Sequence, residues 1–426
     1  MIAKFFFLIL LVGCATHQSI VERPLNLIRS GQVEEALRIL APLAAEESRD
    51  QLVYLMEYGT ALHIAGRYAD SNKVFLTADK LTDEVDYYSV SRIAAATLTS
   101  QEVLQYKGES YEKLLINSYL ALNYLMLGDS DGALVEVRRI NDKIKKFRAD
   151  GRKDYEQSPL ASYLSALIWE SDQKYDDAYI DFKRTFQIDP SNPLLPFDLL
   201  RSSKLAHRVD DYTQLKKQFP QETEEADWYD KRMGTVTLIL EQGWGPRKHF
   251  SRQNASFPVL IPERSLTATA KMKVSRVGAY ATSGFGTSAE AKSPGVFTAN
   301  ARQIYDVERV AIATLDADYK YLVARKVGSF VAKEVVAEQI RQKDELLGFI
   351  ARIAMHASDR ADLRQWASLP QTIQIASLRV PAGDYLVSAE GLTGYGNPGH
   401  SLDEMAPRPV KVQAGRTSFI NWRALH

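Results

Sequence analysis

Only one cysteine, Cys14, occurs in the 426 residues. It can form neither an intrachain disulfide nor a cysteine metal cluster. Excess charge of either sign is also missing, since 53 Lys and Arg face 53 Asp and Glu. A nucleic-acid binder usually carries a basic excess, because phosphate contacts dominate its affinity; that class is disfavoured. No apolar run approaches the roughly 20 residues of a membrane-spanning helix. The histidines (His17, His63, His207, His249, His356, His400 and His426) show neither the four-residue spacing of a metalloprotease helix nor a Cys/His pattern. A Walker loop and a G-x-S-x-G elbow are absent too. Gly394-Tyr-Gly-Asn-Pro-Gly399 spells G-x-G-x-x-G, but Pro398 interrupts it and no helix is expected next. Ser171-Asp-Gln-Lys174 spells S-x-x-K inside what reads as a repeat turn. The expectation is therefore a non-enzymatic chain without metal or cofactor. A site assembled from distant carboxylates would escape such a search. The composition, 45% hydrophobic and 25% charged, is that of an ordinary globular protein. The length suggests about two or three domains.

The first residues explain the cysteine. Lys4 supplies one positive charge, and Phe5 to Val12 is an unbroken apolar run. That run suits the hydrophobic stretch of a secretory signal. It closes on Leu11-Val12-Gly13-Cys14, which resembles a bacterial lipobox. The resemblance implies a mature chain beginning at lipidated Cys14, with that covalent lipid as the one attached group. Two or more acyl chains anchor a protein stably where one does not. Ala15 follows the cysteine, not the Asp that favours inner-membrane retention in enterobacterial lipoproteins. An outer-membrane lipoprotein on the periplasmic face is thus implied.

Residues 23–220 carry a helical repeat. The tetratricopeptide pattern asks for L-G-x2-Y, then A-x3-F, then Pro. Residues 159–192 match it best, with Ser165-Ala166-x2-Trp169, Ala178-x3-Phe182 and Pro190. Two further copies hold Leu120, Ala121, Tyr124, Gly128 and Ala133, and Tyr58, Gly59, Gly66, Ser71 and Phe75. A degenerate first copy has Gly31, Ala36 and Leu40. The aligned turn positions Gly31, Gly66, Gly128 and Gln173 are unevenly spaced, so the array is interrupted, with an insertion over about 83–112. Small residues let two helices approach, and stacking then covers the apolar face that one hairpin leaves open. Repeats of this pattern usually bind a protein segment in the groove lined by each first helix. Here the lining includes Met56, Leu115, Leu122, Leu125, Tyr163 and Leu167, which is mostly apolar. Either a partner's helix or strand fills it, or the inserted segment does. Arg138 to Lys153 is a basic run that suits a solvated helix face or contact with anionic lipid or glycan strands.

After about residue 230 the period changes. Leu266, Ala268, Ala270, Met272 and Val274 alternate with polar residues, as on a half-buried strand. Thr235–Leu240 and Val259–Ile261 also read as extended. Thr372–Val380 and Tyr385–Ala389 flank Pro-Ala-Gly-Asp and are expected to form a hairpin. Val410–Val412 and Thr417–Trp422 repeat the theme. Apolar residues at helical spacing predict a helical insertion at about 306–358, and Gly/Ser-rich 278–300 reads as a long loop. The fold class expected is α+β. A tetratricopeptide-like α-helical domain precedes a β-rich domain, 230–426, of prealbumin or immunoglobulin-like sandwich type. Residues 1–13 are the signal and 14–22 a lipidated linker.

Several phrases together carry a family resemblance. They are Tyr106-Lys-Gly-Glu-Ser-Tyr-Glu112, Asn117 to Leu125, Gly132 to Arg139, Glu241-Gln-Gly-Trp-Gly-Pro-Arg-Lys248, Asp362-Leu-Arg-Gln-Trp-Ala-Ser-Leu-Pro370 and Pro381-Ala-Gly-Asp-Tyr385. The set resembles uncharacterised bacterial outer-membrane lipoproteins with tetratricopeptide-like helices. Members are often encoded beside lipoprotein activators of penicillin-binding proteins. The resemblance supplies no catalytic residue. It implies a lipid-anchored periplasmic adaptor that binds an envelope protein, linked to cell-wall synthesis or envelope assembly. Peptidoglycan is a second candidate partner. The alternative is an envelope enzyme or glycan-binding protein with a nonlocal site in the β-rich half. Glu109 and Glu112 are expected to pair with Arg138 or Arg139. Trp244, Arg247 and Lys248, with Asp362, Arg364 and Trp366, are the candidate surface motifs, or else fasten one domain to the other.

Overall fold

The computed structural model describes residues 17–96, 105–149, 158–252, 255–278, 295–342, 361–394 and 403–426. Cys14 and the rest of the lipobox lie outside these residues, as do 150–153 of the basic run, 279–294, 343–358 and most of the Gly394–Gly399 motif.

The helical half is a row of five hairpins. They are α1 (His17–Arg29) with α2 (Val33–Ala45), α3 (Gln51–Ile64) with α4 (Tyr68–Ala96), and α5 (Ser110–Met126) with α6 (Ser130–Ala149). α7 (Pro159–Ser171) with α8 (Tyr175–Ile188) and α9 (Leu195–Leu205) with α10 (Val209–Gln218) complete it. Each helix packs on the next in sequence. All five turns use one device. A residue of positive φ ends the first helix, its N–H bonding three residues back and the following N–H five residues back. Gly31, Gly66 and Gly128 take that position, at φ near 75°. In the last two turns Gln173 (φ 60) and His207 (φ 57) take it instead. The fifth hairpin was hidden because its marker is a histidine, although His207 lies one 34-residue repeat length after Gln173. Helix α1 already begins at His17, so the described part of the expected 14–22 linker is helical.

The second half is a sandwich. One sheet has the order β10-β1-β7-β6, built from β1 (Met233–Gln242), β6 (Arg302–Asp306), β7 (Thr372–Pro381) and β10 (Thr417–Ala424). The other has the order β5-β4-β8-β9, from β4 (Thr269–Arg276), β5 (Val296–Asn300), β8 (Gly383–Leu392) and β9 (Glu404–Val412). A two-stranded ribbon joins β2 (Arg247–Phe250) to β3 (Pro258–Ile261). Helix α11 (Val307–Arg341) follows β6, where the helical insertion was expected. The class is thus mixed α and β.

Three strand expectations change. Thr372–Val380 and Tyr385–Ala389 are not a hairpin: β7 pairs with β1 and β6, whereas β8 pairs with β4 and β9. The Pro381–Gly383 corner is an arch between sheets, and Gly415 marks a second arch between β9 and β10. The turn residues are genuine, but a turn does not say whether its flanks pair or part. Within the expected 278–300 loop, Val296–Asn300 is strand β5. Leu266 and Ala268 precede β4 instead of opening it.

The layers are helices, inner sheet, outer sheet. Val236, Leu238 and Leu240 of β1 face the outer sheet and meet Met272, Val274 and Val387 in one core. Ile239 of β1, with Ile373 and Ile375 of β7, faces the helices and joins their core. Strand β1 is therefore buried on both faces, which is why Thr235–Leu240 reads as a nearly continuous apolar run.

Candidate functional site at the seam between helices and sheet

The first helix of a hairpin is covered by its partner on one side and, in α3, α5 and α7, by something else on the other. Almost every residue of these three is buried. A helix buried all round lies inside a core, not along an open groove. All six predicted groove residues, Met56, Leu115, Leu122, Leu125, Tyr163 and Leu167, are buried. They are not open to a partner: the chain's own second half covers α3 and α5, and Tyr163 is closed in by Phe182 of α8 and Asp198 of α9.

The covering segment around Trp366 has no regular secondary structure and is gripped like a peptide. Glu57 on α3 accepts the N–H of Ala367 (2.6 Å) and of Ser368 (3.1 Å). Glu112 on α5 accepts the N–H of Trp366 at 2.7 Å. Its other oxygen takes Tyr106 O–H (2.7 Å) and the N–H of Glu109 (2.8 Å), the latter closing the N-terminus of α5. The Trp366 indole N–H reaches Thr60 Oγ1 at 2.8 Å, while its ring sits 5.5 Å from Phe75 and 5.3 Å from Tyr119. Backbone N–H groups without sheet partners would be costly when buried; two carboxylates satisfy three of them. Burial pushes the Glu57 carboxyl up to about 7, against the pull of those bonds. Burial likewise raises Glu112, helped by the nearby Glu109 charge.

A second cluster joins α3 and α5 to the inner sheet. His63 Nε2 meets Glu241 Oε1 at 2.6 Å and Nδ1 meets Asn123 Oδ1 at 2.5 Å. The Asn123 amide nitrogen donates to Ser71 Oγ (2.9 Å), which leaves its oxygen for the histidine. Both ring nitrogens thus face acceptors, an arrangement that fits the doubly protonated imidazolium. Tyr119 O–H (2.6 Å) and Asn421 Nδ2 (2.8 Å) also donate to Glu241, and Arg423 lies 3.5 Å away. Burial works against both charges, but each is overruled by its partners. Glu241 raises His63, and the His63, Arg423 and Tyr119 contacts hold the Glu241 carboxyl down at about 2. Neither side chain has any solvent exposure. The pair fastens two layers together, closed off from solvent.

A third cluster lies where α1 meets the ribbon. Buried Lys248 donates to Glu109 and to Arg364 O (3.1 Å). Burial lowers its ammonium group, but Glu109 and Glu112 more than compensate and raise it. Arg364 bonds Asp50 at 2.9 Å and forks onto Asp362. Gln365 accepts from Lys248 N and donates to Pro246 O at 2.9 Å. Trp244 is buried with its indole N–H on Leu425 O (2.8 Å), between Arg29 and Arg423. Of the six candidate surface residues, Trp244, Lys248, Arg364 and Trp366 are buried, and Asp362 and Arg247 half-buried. They form the fastening between halves, not a surface site. The Glu109 and Glu112 pairing with Arg138 or Arg139 also gives way, since Glu109 goes to Lys248 and Arg139 to Asp79 and Glu136.

Sequence reasoning missed Glu57, His63 and Glu241. Each is a lone ionisable residue in an apolar stretch, and that was the available signal. Among the described residues no group of three or more His, Cys, Asp or Glu could hold a metal ion. No described helix is long and apolar enough to cross a membrane.

No protein-family profile matches the chain, and no curated protein does. Solved structures share part of it. MamA from Desulfovibrio magneticus is 20% identical, covering 47% of this chain and 90% of its own, with a TM-score of 0.30. A tetratricopeptide repeat protein from Parabacteroides merdae is 16% identical, covering 50% and 81%, with a TM-score of 0.22. Likenesses this slight carry no argument, and the repeat assignment rests on the five hairpins' own geometry.

Proposed function

We propose that the chain is a non-catalytic scaffold of the bacterial envelope, lipid-anchored at Cys14 on the periplasmic face of the outer membrane. The supporting observation is the seam. The inner faces of the repeats grip residues 366–368 of the same chain, so a partner is left the outer helices, where Val135 of α6 and Ile180 of α8 are exposed. Beside Val135, the exposed Arg138, Arg139, Lys145 and Lys146 of α6 suit an acidic protein or an anionic envelope polymer. The link to cell-wall synthesis rests on the family resemblance alone.

Two measurements test this. Mass spectrometry of the membrane-extracted protein should find a diacylglyceryl thioether on Cys14; a free thiol there ends the anchor reading. Photo-crosslinkers at Val135 and Ile180 in intact envelopes should capture a defined protein or glycan strand, and one at Leu122 should capture none. Capture from Leu122 alone would return the inner groove to a partner.

A further inference from the structure

The last three outer helices repeat one surface pattern. Asp131, Val135 and Arg138 of α6 stand at i, i+4 and i+7, which is one face of the helix. Asp177, Ile180 and Arg184 of α8, and Asp210, Thr213 and Lys217 of α10, share a face at i, i+3 and i+7. Counted from the turn residues Gly128, Gln173 and His207, the three sets coincide to within one residue. All of these side chains are exposed, Val135 by 43% and Ile180 by 49%. Thr213 turns its hydroxyl back onto Val209 O at 2.8 Å. The named acids and cations form no ion pair among the described residues. Asp142, an exposed acid further along α6, is held by Lys145 at 3.2 Å.

Each outer helix is the second of its hairpin, so α6, α8 and α10 run in one direction. Lys183 of α8 reaches Asp211 of α10 at 3.4 Å, and Arg139 of α6 reaches Asp79 of α4 at 3.5 Å, which sets outer helices side by side. The stripes therefore add up to an acidic band, a middle row holding Val135 and Ile180, and a basic band about 10 Å from the acids. Helix dipoles favour acid near an N-terminus and base near a C-terminus. They do not ask that both share a face with an exposed Val or Ile between them. Such a face complements itself. A two-fold axis laid along the middle row turns a second copy so that its acidic band meets the first copy's basic band and the apolar rows meet each other. A polyanion or a lipid surface would match the basic band alone and leave the acids opposed to its own charge.

We propose that the outer faces of α6, α8 and α10 form a two-fold contact between copies of this chain, each stripe lying antiparallel to the same stripe of the second copy. This rests on the reading of the outer helices as the interaction face, and it names the partner. A photo-crosslinker at Ile180 of the full-length chain, in intact envelopes, should yield an adduct made of this chain's peptides alone, with α8 joined to α8. Capture of a different protein or of a glycan strand overturns the two-fold contact and leaves the outer helices as the interaction face. Capture of nothing at Ile180 and Val135 overturns both. Charge reversal then tests the order of the bands. Asp177→Arg and Arg184→Asp should each cut the adduct about fivefold or more, because like charges meet. Both changes in one chain should restore it to within about twofold of the parent, since the bands have exchanged sign and still complement each other. A double variant that melts like the parent but fails to recover the adduct overturns the proposal. Asp131→Arg with Arg138→Asp applies the same test on α6, with the same outcomes.

Discussion

Glu57 shows how a single residue can make stability depend on pH. Its carboxyl lies near 7 when folded, against an ordinary value of 4.5. The folded state therefore holds more protons than the unfolded one between those values, and this contribution to stability falls as pH rises from 4.5 to 7. Gln at this position keeps an acceptor without the titration. Glu57→Gln should accordingly gain on the parent between pH 5 and pH 8, by on the order of 2–3 kcal/mol. Urea melts of both proteins at the two pH values check it; a difference unchanged with pH contradicts the assignment. The His63–Glu241 pair acts at both ends of the scale. The raised His63 lends stability below its unfolded value near 6.5 and loses it above its folded one. The depressed Glu241 lends stability above 4.5 and loses it towards pH 2.

The five turns are a controlled comparison among elements. Gly66 sits at φ 73 with open space where a Cβ would stand, so Gly66→Ala should cost about 1–2 kcal/mol through backbone conformation alone. His207 holds the same position at φ 57 as an L-residue. His207→Gly should stabilise by about 0.5–1 kcal/mol, once the greater freedom of glycine in the unfolded chain is subtracted. Thermal or chemical unfolding of the two variants should thus move in opposite directions. The Trp366 segment permits a second comparison. Trp366→Ala should cost about 3–5 kcal/mol through the cavity it leaves. Trp366→Phe retains most of the packing, but leaves Thr60 without its indole donor. A loss near 1–2 kcal/mol is expected there. Losses of equal size would mean that the hydrogen bond outweighs the cavity.

At the scale of the whole molecule the two halves share one core, since Ile239, Trp244, Trp366, Ile373 and Ile375 belong to the same apolar cluster as the repeats. Chain division near residue 222 would uncover α3, α5 and α7, and would take from Glu57 both its N–H donors, from Glu112 the Trp366 N–H and from His63 its Glu241 partner. Residues 17–222 expressed alone should bind a hydrophobic dye and aggregate, while the full chain unfolds in one transition. A monomeric, cooperatively folding fragment would show that the seam is an accessory contact.

Local pattern was enough for much of this protein. The hairpins around Gly31, Gly66, Gly128 and Gln173, the helix after residue 306 and the change of period near 230 follow from spacing between near neighbours, which short-range packing and turn geometry impose on the chain. The lipobox-like Leu11–Cys14 is equally local. Tertiary structure decided what distance in sequence conceals. Whether Pro381–Gly383 closes a hairpin or an arch depends on which strands lie beside it. Whether Met56 and Leu122 line a groove or a core depends on a segment about 250–300 residues further on. Glu57, Glu112 and Glu241 look alike as carboxylates in the sequence. Only the donors delivered to them on folding make one a peptide clamp that titrates near neutrality and another the permanent anion of a buried pair.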